Sequence, residues 1–277
     1  MALHSIDSIL HPTDFSDTDF GAVAHALRIA LAAKAKLTFL HVGPKGADID
    51  WAAFPKIRGV LASWGVVKED ASHEDVIATG LHVRKSLRKG DDIVAEIAGE
   101  ARSGEADLIV LATHQRQGIA RWLNKPLAET IAREVRKPTL FVPRQIEGFV
   151  RQETGHPHLS HILVPVARSP KAKNVVEAAI LLGRLLAPGP VTLTLFHVGS
   201  EGRVPSVEVS EPKGWTIRRV CRPGDVVTEV LDECEEQGAD LIAMATKGRE
   251  GFLDALRGTT TEQVLRAAKC PVLAVPA

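Results

Sequence analysis

The sequence predicts an α/β protein built from two similar domains, on three observations. Residues 106–143 align without gaps on residues 239–276, at the constant offset that separates Asp107 from Asp240. Short apolar runs alternate with helical patterns in both copies. The runs ADLIVLAT and ADLIAMAT are continuously apolar, which is typical of parallel strands buried on both faces. Each copy is therefore predicted to form a doubly wound, five-stranded, mainly parallel sheet with helices on both faces.

The first copy reads as strand, helix, strand, variable segment, strand, helix, strand, helix and strand. DSILHP is the first strand, and Ser16 is predicted to cap the following helix, with Asp19 in its first turn. Later helices are predicted at about residues 92–103 and 127–135, and the variable segment has room for another near PKIRGVLASWG. The remaining predicted strands are KLTFLHV, LHVRKSL, ADLIVLAT and PTLFVP.

The second copy repeats this order, starting at HILVPVARS. Ser169 is the predicted helix cap, and Pro170 takes the first helical position, where a missing N–H costs nothing. Further helices are predicted at about residues 225–237 and 260–268. Residues 200–214 are few and rich in Gly and Pro, so this copy is predicted to lack the helix of the variable segment. Its remaining predicted strands are VTLTLFHV, WTIRRV, ADLIAMAT and PVLAVP.

The repeat also sets the predicted domain boundaries. The first domain covers residues 1–144, the second covers residues 159–277, and residues 145–158 form a linker. A chain of 277 residues is long enough for two domains of ordinary size.

Composition argues against several classes of protein. Lys plus Arg and Asp plus Glu each number 34, so net charge gives no reason to expect a nucleic-acid or membrane-surface partner. No run approaches the ~18 apolar residues of a membrane helix, and the first residues lack a signal-peptide pattern. We therefore expect a cytoplasmic protein. The spacing of Cys221, Cys234 and Cys270 predicts reduced thiols, without a disulfide framework or a zinc site.

A glycine-containing stretch follows the fourth strand of the second copy. ATKGREGFLDALRGTT places Gly248 and Gly258 ten residues apart, with Thr259 next. Phosphate oxygens need several N–H donors at close range, which glycines and a helix N-terminus supply. The spacing therefore fits a phosphate-binding loop. It fits equally a plain helix start, because Thr259 and Glu262 can form a capping box without any ligand.

These segments together resemble the universal stress protein family in its tandem two-domain form, over nearly the whole chain. The resemblance lies in HPTDFS after the first strand, FLHV and LFHV in the second strands, ADLIVLATH and ADLIAMATKGREG at the fourth, and KPTLFVP and KCPVLAVP at the fifth. It implies two Rossmann-like domains that pack as an intrachain pseudo-dimer through their last strands, PTLFVP against PVLAVP.

Nucleotide-binding members of this family carry G-x2-G-x9-G-[ST] from the fourth strand into the last helix, and an aspartate just after the first strand. The second copy keeps three of the four signature positions and has Ala245 at the remaining one. The resemblance therefore implies a site for ATP with Mg in the second domain only. The candidate contacts are Val198, Met244, Ala245, Gly248, Gly258, Thr259 and Thr260, the last three holding phosphate. Val198 and Met244 would contact the base, although core packing explains Met244 equally well.

The first copy has lost this loop. Gln115, Lys125 and Pro126 stand at its signature positions after Ala112, so close approach is obstructed and Pro126 has no N–H to donate. Lys125 could meet an anion, but a solvated surface lysine is the preferred interpretation.

The aspartate has the opposite distribution. The first copy keeps Asp14, whereas the second has Ala167 in its place. Each domain thus lacks one half of the nucleotide site, and ATP binding in the second domain is expected to be weak.

The remaining histidines suggest structural roles. His156, His158 and His161 resemble a metal cluster, but a solvated linker is the preferred interpretation, because no cysteine or carboxylate lies among them. His41 and His197 recur at equivalent strand ends, which favours a structural role. His11 lies close in sequence to Asp14 and could pair with it.

Three functions remain open from the sequence. The first is a stress-response binding protein with one degenerate ATP site. The second is a nucleotide-independent protein that acts by assembly, as a pseudo-dimer or homo-oligomer, and by docking an unidentified protein partner. The third is a slow ATPase or a hydrolase of a small ligand, for which Glu250, the acid between Lys247 and Gly251, is the candidate base. No catalytic motif is present, so an enzyme is not expected.

Overall fold

The computed structural model describes residues 3–14, 20–44, 52, 54–113, 127–144, 146–209, 212–246 and 260–277. Within these ranges the strands are β1 (Ser8–Pro12), β2 (Lys36–Gly43), β3 (His82–Lys89), β4 (Leu108–Thr113), β5 (Thr139–Pro143), β6 (His161–Pro165), β7 (Thr192–Val198), β8 (Thr216–Arg222), β9 (Leu241–Thr246) and β10 (Val272–Pro276). The helices are α1 (Phe20–Ala33), α2 (Ile57–Ser63), α3 (His73–Ala78), α4 (Ile93–Ser103), α5 (Leu127–Val135), α6 (Lys173–Leu186), α7 (Val226–Gln237) and α8 (Thr260–Ala267).

All ten strands belong to one sheet, in the order β3-β2-β1-β4-β5-β10-β9-β6-β7-β8. Strands within each half pair in parallel, and β5 pairs with β10 antiparallel, with Leu140 opposite Leu273. The predicted α/β fold is confirmed, and its two five-stranded sheets join edge to edge through the last strands.

Two apolar layers cover the faces of this sheet. Residues of α1, α2 and α6 pack on one face, where Ile9, Phe39 and Val110 are buried. Residues of α4, α5, α7 and α8 pack on the opposite face, where Leu10, Leu40 and other strand residues are buried. Successive residues of one strand enter opposite layers, which is why the strands read as continuous apolar runs.

The two halves differ between their second and third strands. The first half has α2 and α3, and the structure adds α3 to the single helix that the sequence suggested. In the second half, the described residues between β7 and β8 contain only a three-residue 3-10 helix, Glu201–Arg203.

One predicted helix start is wrong. Helix α6 begins at Lys173 with Ala172 as its N-cap, and no side chain caps it, so Ser169 and Pro170 lie before the helix. The buried apolar stripe of α6 begins at Ala172 and Val175, which places the helix start there. The corresponding prediction for Ser16 and Asp19 lies outside the described residues.

The segment predicted as a solvated linker is instead packed on the first half. Phe149 is fully buried, and its N–H donates to His25 Nε2 over 3.1 Å. Trp64 Nε1 donates to Gln152 O over 2.9 Å. Gly155 has φ +66°, and a Cβ there would lie 2.2 Å from the Trp64 ring, so only glycine fits. The absence of a cysteine or carboxylate among the histidines, on which the solvated interpretation rested, gave no sign of the buried Phe149.

His161 also departs from the linker interpretation. It is the first residue of β6 and is 8% exposed. Its Nδ1–H donates to Gln237 O over 3.2 Å, and its Nε2 accepts from the Thr194 hydroxyl over 2.9 Å. These bonds satisfy both ring nitrogens of a buried imidazole, which is a structural role and not a solvated one.

Each half buries one glutamate against its edge strand. Glu100 of α4 is 2% exposed and accepts hydrogen bonds from Arg88 Nε (2.8 Å) and Nη2 (2.6 Å). Glu233 of α7 is 1% exposed and lies 2.7 Å from Arg222 Nη2. Arg88 and Arg222 come from β3 and β8, so these ion pairs connect the two edges of the sheet to the helices that cover it.

Candidate functional site

The predicted site lies at the carboxyl edge of the second half-sheet. Strand β6 lies between β7 and β9, and the chain runs from β6 to β7 on one side before it returns to β9 on the other. This reversal is the point in doubly wound sheets where ligands bind, outside the carboxyl ends of the strands. Val198 is the last residue of β7, and Ala245 is the penultimate residue of β9.

The described candidate residues differ in what they can offer a ligand. Met244 is 5% exposed and packs in the layer beneath α7 and α8, so its side chain is already enclosed by protein. Val198 and Ala245 are half-buried, and Thr260 is the half-buried first residue of α8. The geometry favours the core-packing role for Met244. Val198, Ala245 and Thr260 remain at the carboxyl edge of the sheet as candidate contacts.

The predicted phosphate cradle itself lies outside the described residues. This holds for Gly248, Gly258 and Thr259, and for Glu250 of the catalytic alternative. It holds also for the first-copy positions Gln115, Lys125 and Pro126.

The sequence analysis missed Thr246, which ends β9 immediately before the cradle. Its hydroxyl is buried, and it has no hydrogen-bond partner among the described residues. Thr113 is the equivalent last residue of β4, and its hydroxyl is likewise buried without a hydrogen-bond partner among the described residues. A buried hydroxyl without a partner is costly, so within the described part of the chain both positions have donor and acceptor capacity at the carboxyl edge.

An open cleft extends from the aspartate-equivalent position of the second half. Its volume is about 1040 Å³, and Ala167, Arg168 and Lys171 line the end nearest to β6. Ala167 and Arg168 are exposed. The two cations after β6 supply positive charge next to the strand ends, which favours an anionic ligand.

The aspartate of the first half, Asp14, forms an ion pair within the protein. Asp14 Oδ2 lies 2.8 Å from Arg144 Nη2, and the Arg144 side chain is only 12% exposed. The backbone N–H of Arg144 donates to Thr113 O over 3.0 Å, as that of Ala277 does to Thr246 O. Arg144 therefore corresponds to Ala277, and the second half lacks both the aspartate and the arginine that holds it.

His41 and His197 have the same structural role in the two halves. His41 Nδ1–H donates to Thr13 O over 2.9 Å, and His197 Nδ1–H donates to Val166 O over 3.0 Å. Each bond holds the residue directly before Asp14 or Ala167. The backbone at these two anchor positions is therefore fixed in the same way, as the repeat of the histidines predicted.

His11 forms no hydrogen bond with Asp14 among the described residues, although the sequence allowed such a pair. Its Nδ1–H donates to Val110 O over 3.0 Å, its ring packs edge-on against Phe39, and Nε2 is buried without a hydrogen-bond partner among the described residues. Burial lowers the pKa of His11 to about 4, so the ring is neutral at pH 7. The His11 ring therefore packs in the apolar layer against Phe39, whereas the exposed carboxylate of Asp14 binds Arg144.

A second buried histidine was missed in the sequence because it lies inside a helical apolar pattern. His25 of α1 donates from Nδ1 to Gly21 O over 2.7 Å and accepts at Nε2 from Phe149 N–H. Burial lowers the pKa of His25 to about 4. Its neutral form therefore connects α1 to the segment that joins the two halves.

No helix in the described part of the chain is long and apolar enough to cross a membrane. No group of three or more His, Cys, Asp or Glu side chains there is arranged to hold a metal ion.

Comparison with known proteins agrees with the fold. The model of the Universal stress protein family matches residues 5–143 and 206–276. A universal stress protein of Methanocaldococcus jannaschii is 34% identical over 81 residues, which are 29% of this chain and 48% of that relative, so the match spans about half of its length.

Two solved structures share the architecture over the whole chain. A universal stress protein from Archaeoglobus fulgidus superposes with a TM-score of 0.64 at 19% identity, covering 99% of this chain and 97% of that one. A protein of unknown function from Pseudomonas aeruginosa has a TM-score of 0.61 at 16% identity, covering 99% and 94%. Because the family model matches well over half of the residues, in two separate segments, the chain belongs to the universal stress protein family.

Proposed function

We propose that this protein binds ATP with Mg in its second domain and acts as a binding or regulatory protein in stress response. The observation that carries the proposal is the position of Thr246 directly before the glycine-containing stretch, which the equivalent Thr113 of the first domain lacks. The buried hydroxyl of Thr246, without a partner among the described residues, ends β9 at the switch between β6 and β9. In the sequence it is followed directly by the stretch with Gly248 and Gly258-Thr259. Glycines after a parallel strand and before a helix suit phosphate groups.

Two cations next to position 167 are compatible with an anionic ligand at this edge of the sheet. Arg168 and Lys171 lie beside the carboxyl end of β6, and the cleft they line is open. The missing aspartate at position 167 removes one hydrogen bond to the nucleoside, so weak binding is proposed. Ala245 adds one methyl group at the first signature position.

The proposal is tested by calorimetry with ATP and Mg on the purified full chain. We expect saturable heat with the wild-type protein and none with Gly258→Asp, because the new carboxylate would repel phosphate. The matched control is Lys125→Asp at the equivalent position of the first domain, which should bind as the wild type does. An absence of saturable heat at millimolar ATP, or equal binding by the Gly258→Asp variant, contradicts the proposal.

A gain of affinity is expected when the missing anchor is restored. Ala167 is exposed, and the His197 bond fixes the preceding residue as His41 does before Asp14. Ala277 stands where the first domain has Arg144, so the second domain lacks the arginine that binds Asp14. The Ala167→Asp variant should therefore bind ATP about tenfold more tightly, the effect of one charged hydrogen bond.

The matched control for this variant is Asp14→Ala in the first domain. Since Asp14 binds Arg144, its loss should leave ATP affinity unchanged. Weaker binding by Ala167→Asp in calorimetry would contradict the assignment of position 167 as the nucleoside anchor.

The Asp14–Arg144 ion pair favours a second candidate function for the first domain. With its carboxylate already bound, that domain is suited to assembly or to docking a protein partner without nucleotide. Mass spectrometry of protein purified from its host tests this alternative. Protein that carries no nucleotide and yet retains one defined partner would support it, whereas released ATP would favour the first proposal.

We propose binding and not turnover. Glu250 is the only acid between Lys247 and Gly251. Phosphate release that is lost in a Glu250→Gln variant would contradict this part of the proposal.

A further inference from the structure

Two cysteines of the second domain lie against each other. Cys234 is in the last turn of α7, and Cys270 lies 36 residues further on, two residues before β10. Their Sγ atoms are 3.4 Å apart, and each residue is 6% exposed. At this separation the thiols are in direct contact. Cys221, on β8, is instead near Gly199 O, at 3.5 Å.

Neighbouring contacts hold the two segments together. Lys269 Nζ lies 2.8 Å from Glu235 Oε1, so the residues next to both cysteines form an ion pair on the surface. The Cys234 sulfur is also 3.8 Å from Ala239 O in the turn that ends α7. These contacts hold the end of α7 and the segment before β10 together, and so keep the two sulfurs in contact.

The two thiols are chemically different. The hydrogen bond between them lowers the pKa of Cys234, which is consistent with Cys270 S–H donating to the Cys234 sulfur. The same bond, followed by burial, raises the pKa of Cys270. The thiolate is the nucleophile in thiol chemistry, so the lowered pKa favours Cys234 as the attacking sulfur, and the single variants below test this order.

We propose that Cys234 and Cys270 form a dithiol site that a hydroperoxide oxidises to an intramolecular disulfide. In the first step the Cys234 thiolate attacks the O–O bond. An S–O bond forms, the O–O bond breaks, and the departing oxygen takes a proton to leave as an alcohol or water. In the second step the Cys270 sulfur attacks the Cys234 sulfur. The S–S bond forms, the S–O bond breaks, and hydroxide leaves with the Cys270 proton as water. The two sulfurs together lose two electrons, and the peroxide gains them.

The geometry requires only a small movement. The sulfurs must approach from 3.4 Å to about 2.05 Å. The bond would connect α7 to the residue before Pro271 and enclose β9, α8 and the stretch with Gly248 and Gly258. Closing this loop constrains the unfolded chain, so the oxidised protein should melt about 5 °C higher.

The test uses the full chain with Cys221→Ala, which removes the third thiol, and hydrogen peroxide as the oxidant. Trypsin digestion without reductant should join residues 220–247 to residues 270–277 through one disulfide. The higher melting temperature should disappear after reduction. Wild-type protein mapped in the same way should contain the same linked peptides. Persistence of both free thiols in peroxide that oxidises free cysteine, or disulfides formed only between chains, overturns the proposal.

Single variants test the order of the two steps. In Cys270→Ala, dimedone should trap a sulfenic acid on Cys234, because no second thiol can displace it. In Cys234→Ala, Cys270 should remain unlabelled. Circular dichroism checks that both variants are folded. Equal labelling of the two variants overturns the assignment of Cys234 as the attacking thiol.

Discussion

Lowering the pH from 7 to 4 should destabilise the protein by about 3 kcal/mol for each of two buried histidines, His11 and His25. Both have a pKa of about 4 in the folded chain, against 6.5 for the unfolded reference. Between these values the unfolded chain binds the extra protons, so the free energy of unfolding falls as the pH falls. The stability is complete above pH 6.5, and about 2 kcal/mol per histidine is lost by pH 5.

The physical cause is specific to each ring. His25 accepts at Nε2 from Phe149 N–H, and a proton on that nitrogen would remove the acceptor. His11 would carry a buried charge against Phe39 with no acceptor for Nε2 among the described residues. Both changes are costly in an apolar layer.

The repeat supplies a variant for this test. His11 corresponds to Val164 in the second copy, which is fully buried in the same layer. Urea unfolding from pH 7 to 4 should show His11→Val losing about 3 kcal/mol less than the wild type. His73→Gln, at an exposed position, should follow the wild-type profile. Identical profiles for His11→Val and the wild type would refute the buried, neutral state of His11.

The Arg88→Ala variant should destabilise the protein by about 3 kcal/mol, because it leaves the Glu100 carboxylate buried without its main donor. Arg88 supplies two hydrogen bonds to one carboxylate oxygen, whereas Arg84 Nη2 lies 3.4 Å from the other. Urea unfolding at pH 7 measures the loss. Adding Glu100→Gln should recover part of it, since an amide carries no charge to desolvate.

A second ion pair of the same helix is the control. Arg102 Nη1 and Glu134 Oε1 are 4.0 Å apart, and both side chains are more than half exposed. Arg102→Ala should therefore cost less than about 0.5 kcal/mol. If Arg88→Ala costs no more than Arg102→Ala, the buried ion pair does not stabilise the edge of the sheet.

Much of the fold could be predicted because it depends on local patterns. The continuous apolar runs of β4 and β9 require a strand covered on both faces, and the observed strands lie within those runs. The start of α6 was misplaced because Ser169-Pro170 is a good cap sequence, whereas the buried stripe from Ala172 decides where the helix begins. The residue types among the linker histidines likewise failed to reveal that Phe149 anchors residues 146–158 to the first half.

In the candidate site, too, the sequence reveals residue identities, whereas contacts between distant residues require the structure. The residue types at positions 14, 167, 248 and 258 can be compared directly between the two copies. The sequence also contained a signal for Arg144, since the repeat aligns it with Ala277. Its significance depends on the 2.8 Å contact with Asp14, across 130 residues of chain. No spacing rule could pair Cys234 with Cys270, because the two lie on different elements that only packing brings together.

The sequence by itself determined the α/β fold of two similar halves, the order of the strands and the unequal distribution of glycines and aspartate. These features depend on hydrophobic periodicity and on residue identity, which neighbouring residues can reveal. Tertiary structure alone decided that Arg144 forms an ion pair with Asp14 and that the Thr246 hydroxyl is buried at the carboxyl edge of the sheet. It also decided that the thiols of Cys234 and Cys270 are in contact. Such contacts join distant segments, and their positions follow from how the helices pack on a ten-stranded sheet.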